Sequence, residues 1–221
     1  MPGKNSDLHG NAPDNARVAL LLIDVINDFE FPGGAELVLH ALPAAKRIAA
    51  LKERCRRAQI PSIYVNDNFG KWRSDFRKLV SHCLKDKSRG RNVVELLKPG
   101  REDYFVLKPK HSGFFSTTLD LLLQYLGAEI LILTGFTGDI CILFTANDAF
   151  LRDYRLVIPS DCVVSQDEKE NRRALKYMER VLEADVGVAK EIRLSKLREG
   201  RRKTYAAVVS PPNSVRTSPV T

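Results

Sequence analysis

Tryptophan, methionine and histidine are scarce in this 221-residue chain, which holds one, two and four of them. Cysteine is almost as rare. Cys55, Cys83, Cys141 and Cys162 make no CxxC pair and no small-secreted spacing. That excludes a disulfide scaffold and points to free thiols in a reducing, cytoplasmic compartment. Long apolar runs are missing too: the longest, Val18–Ile23, falls far short of the roughly 20 residues that span a bilayer. The first sixteen residues lack an apolar stretch, so no secretory signal is expected. There is no HExxH, no P-loop, no GxGxxG and no GxSxG elbow. These absences argue against a metalloprotease, a nucleotide-binding enzyme and a serine hydrolase, and no cofactor or metal is expected. What remains, 44% hydrophobic and 28% charged residues, is the composition of an ordinary globular protein.

The formal net charge of +8 invites a nucleic-acid reading until it is located. Residues 190–221 carry eight Lys/Arg and two Asp/Glu, so +6 of the +8 resides there. The remainder of the chain is close to neutral. The basic stretch 196–203 has no interleaved aromatics on which bases could stack, and it reads as a solvated tail or helix end. No nucleic-acid and no membrane partner is expected.

Residues 1–16 and 200–221 read as tails and 17–199 as one domain. Inside it, short apolar runs alternate with helical patterns. Strands are expected at 18–24, 61–67, 104–107, 129–135, 155–159 and 185–189. Helices are expected at 36–58, split or restarted by Pro43, and at 75–85, 117–126, 139–152 and 168–183. Gly127 supplies a helix stop. This alternation predicts a doubly wound, mostly parallel α/β sheet covered on both faces. In such sheets ligands bind beyond the carboxyl ends of the strands.

An acid, a base and a thiol stand at those ends. Cys141 follows a glycine-containing turn in the first turn of a helix, where exposed amides favour a thiolate and could hold an oxyanion. It could equally be a small buried hydrophobe. Asp24 closes the first strand, as a general base or as a turn cap. Lys108 could hold a thiolate or polarise a carbonyl, or could simply be solvated. Cys55, Cys83 and Cys162 are assigned to packing. Of the histidines, His40 and His82 read as helix residues, and His111 only as a pocket wall.

Three ordered blocks, LLLIDVINDF (20–29), VLKPKHSGFFST (106–117) and LILTGFTGDICILFTANDAF (131–150), resemble the isochorismatase-like cysteine hydrolases. The resemblance, covering about residues 17–189, implies a single three-layer α/β/α domain with a six-stranded, Rossmann-like parallel sheet, a small-molecule substrate and a homo-oligomer. It implies an Asp-Lys-Cys triad at Asp24, Lys108 and Cys141. It also implies a cis peptide at Phe136–Thr137, in an oxyanion-holding turn made by Phe136, Thr137 and Gly138. Phe29, Asn66, Asp67, Trp72 and His111 are the substrate-binding candidates.

Departures from the family pattern sharpen the reading. Ile26 stands where the family commonly has Gln, and Gly138 where it commonly has Thr. The nicotinamidase-like metal segment is represented only by Asp67-Asn68-Phe69. Retention of Cys141 favours acyl transfer on an amide, ureide or carbamoyl compound. The alternatives are vinyl ether hydrolysis and a catalytically silent scaffold that uses its basic tail.

Overall fold

The computed structural model describes residues 16–68, 75–85 and 87–199. The expected tails, apart from Ala16, and Trp72 lie outside the described residues. Six strands form one sheet: β1 (Val18–Ile23), β2 (Ser62–Asp67), β3 (Tyr104–Lys108), β4 (Ile130–Phe136), β5 (Arg155–Val157) and β6 (Val163–Val164). The order is β3-β2-β1-β4-β5, with β6 beside the far end of β4, and every pairing is parallel. Among the described residues no helix is long and apolar enough to cross a membrane.

Strand periodicity sorts the core into two layers. Val18, Leu20 and Leu22 of β1, with Ile130 and Ile132 of β4, face one way. There they meet α1 (Gly34–Arg57), α2 (Phe76–Cys83), α3 (Arg91–Leu96) and α7 (Leu194–Glu199). Ala19, Leu21 and Ile23, with Leu131 and Leu133, face the other way. They pack on α4 (Leu119–Leu126), α5 (Leu143–Phe150) and α6 (Glu168–Val181). The result is the expected three-layer α/β/α sandwich.

Most elements lie within a few residues of the positions read from sequence. Gly127 does end α4, in the left-handed region at φ 66°, where a Cβ is unwelcome. Two expectations are corrected. Pro43 neither splits nor restarts α1, which runs unbroken through it. Leu37, Ala41, Ala44, Ala45, Ile48, Leu51 and Cys55 bury one stripe on both sides of the proline. Pro43 is on the exposed face, so the carbonyl left without a donor can face water.

The sixth strand is Val163–Val164, not 185–189, which contributes only a bridge from Asp185 to Val157. There the Asp185 carboxylate accepts the Gly187 amide at 3.1 Å and turns the chain away. At the end of the domain the described part of the basic segment is a helix end with Lys196 and Arg198 exposed. The basic segment begins as α7, which buries Leu194 and Leu197 against the core. Two apolar residues in six are too few to stand out from a run of charges.

Candidate active site

The strand order reverses beside β1, and the chain ends of β1, β2, β3 and β4 meet there. Asp24 follows β1 directly with φ 53°, a left-handed backbone that Asp tolerates better than most residues. Its amide donates to the Val65 carbonyl at 2.9 Å, and its Oδ1 accepts the Asp67 amide at 2.7 Å. The carboxylate is thus held between β1 and β2, with only 6% of the residue exposed.

Lys108 ends β3, which is separated from β1 by β2. Adjacent strands stand about 4.8 Å apart, so a long stem is needed to cross β2. Lys108 is fully buried, and its Nζ lies 2.8 Å from Asp24 Oδ2 and 3.7 Å from Asp67 Oδ2. It donates to the Lys110 carbonyl at 3.2 Å and to Cys141 Sγ at 3.5 Å. The Cys141 thiol and the Asp24 carboxyl also interact electrostatically, each shifting the other's protonation. Acid and thiol, 117 positions apart in the chain, are therefore gathered around one ammonium.

Cys141 is half-buried on a π-helical turn, Gly138–Ile142, that leads into α5. A plain α-helical turn was expected from the sequence; the wider one follows the cis peptide Phe136–Thr137. Within the turn, the Thr137 carbonyl accepts the amides of Ile140 at 3.3 Å and Ile142 at 3.0 Å. The Asp139 amide is directed to Ser165 Oγ at 3.2 Å. Those three amides are thereby committed within the turn and to Ser165.

Gly138 has a steric reason to be glycine. A Cβ there would stand 2.1 Å from Asn171 Oδ1 and 2.6 Å from Val163 Cγ1. Asn171 cannot easily retreat, because its Nδ2 donates to the Val163 carbonyl at 3.0 Å. Gly138→Ala is therefore expected to destabilise the protein by about 1–3 kcal/mol, the usual cost of overpacking. A thermal melt checks this, and an unchanged melting temperature would show that the Asn171 contact yields freely.

The electrostatics correct one expectation. The turn does not leave a resident thiolate. Burial pushes the Cys141 thiol well above the ordinary range, and the Asp24 charge pushes it further, with Lys108 only partly opposing them. Burial likewise raises Asp24 above the usual carboxylate range despite the Lys108 ammonium. For Lys108 the desolvation works downward, yet Asp24, Cys141 and Asp67 together hold it above its ordinary value. The balance is a charged lysine with one proton poised between a carboxyl and a thiol. Burial pushes Cys55 and Cys83 up to about 12, with Arg54 opposing it at Cys55 and the Asp28 charge adding to it at Cys83, which keeps both inert.

The other candidates fare differently. Asp67 is partly exposed beside Lys108, at the rim of the site. Asn66 is fully buried, and its amide is engaged with the Ile26 backbone, donating at 2.8 Å. Phe29 is also fully buried, its ring 5.9 Å from that of Phe136. These two shape the loop after β1 rather than line an open pocket. His111 is exposed and packs on Phe144 at 5.6 Å. Trp72 lies outside the described residues. Among the described residues, no three His, Cys, Asp or Glu side chains form a metal-binding group. Sequence reading passed over Ser112, Thr145 and Asp148, which tie the loop after β3 to α5. Only the four-residue spacing from Cys141 to Thr145 could have signalled any of them.

Known proteins share the fold that carries these residues. The isochorismatase domain model matches residues 18–187. The isochorismatase family protein YaaI of Bacillus subtilis is 40% identical over 174 residues, covering 79% of this chain and 95% of its own. Enterobactin synthase component B of Escherichia coli is 28% identical over 165 residues; the match covers 73% of this chain and 58% of that protein. The crystal structure of N-carbamoylsarcosine amidase from Thermoplasma acidophilum superposes with a TM-score of 0.61 at 29% identity, covering 80% of this chain and 99% of that one. The chain belongs to the isochorismatase family and is a hydrolase.

Proposed function

We propose that this hydrolase cleaves the C–N bond of a small amide, ureide or carbamoyl compound through a thioester on Cys141. One observation carries the reading: the Lys108 ammonium sits 2.8 Å from Asp24 and 3.5 Å from Cys141 in a buried cluster. The similarity to an N-carbamoylsarcosine amidase supports a substrate of this class.

As the sulfur attacks the carbonyl carbon, the thiol proton passes to the Asp24 carboxylate. Lys108 offsets the negative charge that then develops across the pair. The oxyanion is received by the amides of Gly138 and Cys141. Collapse breaks the C–N bond, and Asp24 returns its proton to the departing nitrogen. Asp24 then takes a proton from water, which attacks the thioester. The acid leaves and the thiol is restored.

The test is turnover of a panel of primary amides, ureides and carbamoyl compounds, with intact mass spectrometry of the quenched enzyme. An acyl adduct on Cys141 is expected. In Cys141→Ala both the adduct and turnover should vanish, a loss of at least about 10⁴-fold in kcat. Turnover of the panel that survives in Cys141→Ala would remove Cys141 as the nucleophile. Cleavage of a vinyl ether that survives Cys141→Ala, with no turnover of the panel, would assign the site to vinyl ether hydrolysis with Asp24 as the acid.

A further inference from the structure

The strand order leaves a geometric gap in this site. Lys108 and Cys141 follow β3 and β4, which are separated by β2 and β1. No strand ladder directly sets the distance between ammonium and sulfur. Something else must hold the two chain segments together.

Thr145 stands at that junction. It is fully buried on α5, one turn beyond Cys141. Its Oγ1 donates to the Cys141 carbonyl at 2.7 Å and accepts the Gly113 amide at 3.0 Å. The roles are unambiguous, because a backbone amide can only donate, which leaves the hydroxyl proton for the carbonyl. A threonine that bonds back to the carbonyl four residues earlier is common in helices; one that also captures an amide from a different segment is not required by the helix.

That segment is the loop after β3, whose Lys110 carbonyl accepts the Lys108 ammonium at 3.2 Å. A second tie lies three residues along α5, on the same face. Ser112 Oγ donates to Asp148 Oδ2 at 2.5 Å and accepts the Phe114 amide at 3.1 Å. The loop is closely packed at Gly113: a Cβ there would stand 2.9 Å from Val65 Cγ1 of β2 and 3.1 Å from Leu119 Cδ2 of α4, with Thr145 Cγ2 in ordinary contact at 3.5 Å.

We propose that Thr145 is a positioning residue that sets the Lys108–Cys141 contact by clamping the nucleophile's carbonyl to the lysine's loop, with the Ser112–Asp148 pair as a second clamp. The proposal rests on the reading of Cys141 as a nucleophile tuned by Lys108. Loss of the clamp lets the contact lengthen, so the lysine lowers the thiol's pKa less. The effect should appear in the thiol's titration, which a purely structural threonine would leave alone.

The experiment is the pH dependence of Cys141 alkylation by iodoacetamide, followed by peptide mass in the intact protein. Thr145→Val keeps the side-chain volume and removes both hydrogen bonds. It should raise the alkylation midpoint by about one pH unit, which makes labelling at neutral pH about tenfold slower. Thr145→Ser, which restores the hydroxyl, should match the wild type, and Lys108→Met should shift the midpoint in the same direction as Thr145→Val.

A Thr145→Val midpoint equal to that of the wild type, whatever its melting temperature, would overturn the clamp and leave Thr145 a packing residue. Should Thr145→Val not fold, Ser112→Ala takes its place. A rise of about half a unit, near threefold in rate, supports the clamp, and no change overturns it. If Lys108→Met itself leaves the midpoint unmoved, the underlying reading of Cys141 fails. A shift in Lys108→Met without one in Thr145→Val defeats only the clamp.

Discussion

Asp24→Asn is expected to lower kcat by about 10²–10⁴-fold, the usual contribution of a positioned general acid–base group. The substitution is chosen to keep the local geometry, although it leaves the Lys108 ammonium with Asp67, at 3.7 Å, as its carboxylate partner. Asn tolerates the left-handed backbone at φ 53°, and its carbonyl oxygen can still accept the Asp67 amide that Asp24 now holds at 2.7 Å. What it cannot do is take the thiol proton.

The pH profile carries the second half of this prediction. In the proposed mechanism Asp24 must be ionised to begin the reaction, so the wild-type rate should rise with pH on the acid side. Burial holds Asp24 above the ordinary carboxylate range, and the acid limb should lie correspondingly higher than that of a free aspartate. On the alkaline side the rate should fall only where Lys108 loses its proton, above the ordinary lysine value. In Asp24→Asn the acid limb should disappear from the residual activity. A variant that retains both the limb and most of the rate would remove Asp24 from the reaction. Steady-state rates across pH on the best amide of the panel provide the measurement.

Lys108→Met should abolish hydrolysis and also destabilise the protein in a pH-dependent way. The methionine fills much of the lysine's tunnel across β2, so packing is largely kept. The loss is electrostatic: Asp24 remains buried with its cation gone. An uncompensated buried charge of this kind costs about 3–5 kcal/mol, unless the carboxyl escapes by taking a proton. With Lys108 absent, the Asp24 pKa should rise further above its unfolded value. A carboxyl raised in this way favours the fold while protonated, and that contribution is lost as pH rises through the folded-state value.

The variant should therefore melt close to the wild type in acid and fall progressively below it toward neutral and alkaline pH. Melting temperatures measured from acid to alkaline pH provide the measurement. A gap that is constant with pH would mean that the pair contributes packing alone.

Much of this protein is legible in its amino-acid order, because the relevant signals are local. A run such as VALLLI is six residues of continuous burial, and only a strand covered on both faces takes that pattern at that length. The acid, the lysine and the thiol could each be picked out for the same reason: each ends or follows a strand, and strand ends are where such sheets do chemistry. Where the local signal was weak, the reading slipped. The two-residue β6 and six-residue α7 are shorter than any periodicity can establish, and Pro43 was outweighed by the packing of the helix around it.

Distances and protonation belong to the folded chain. Nothing local states that β3 lies two strands from β1, so only the sheet shows why the cation must be a lysine with its stem stretched over β2. Nor can sequence weigh desolvation against attraction. The helix-end position of Cys141 argues for a thiolate, whereas burial beside Asp24 holds the thiol protonated. The same applies to Asn66, Phe29 and Thr145, whose roles depend on which atoms fill the third dimension around them. Hydrophobic pattern and strand-end placement act over a few residues and are written in order along the chain. The electrostatic balance of a buried cluster is set by groups dozens of residues apart, and it exists only once the chain has folded.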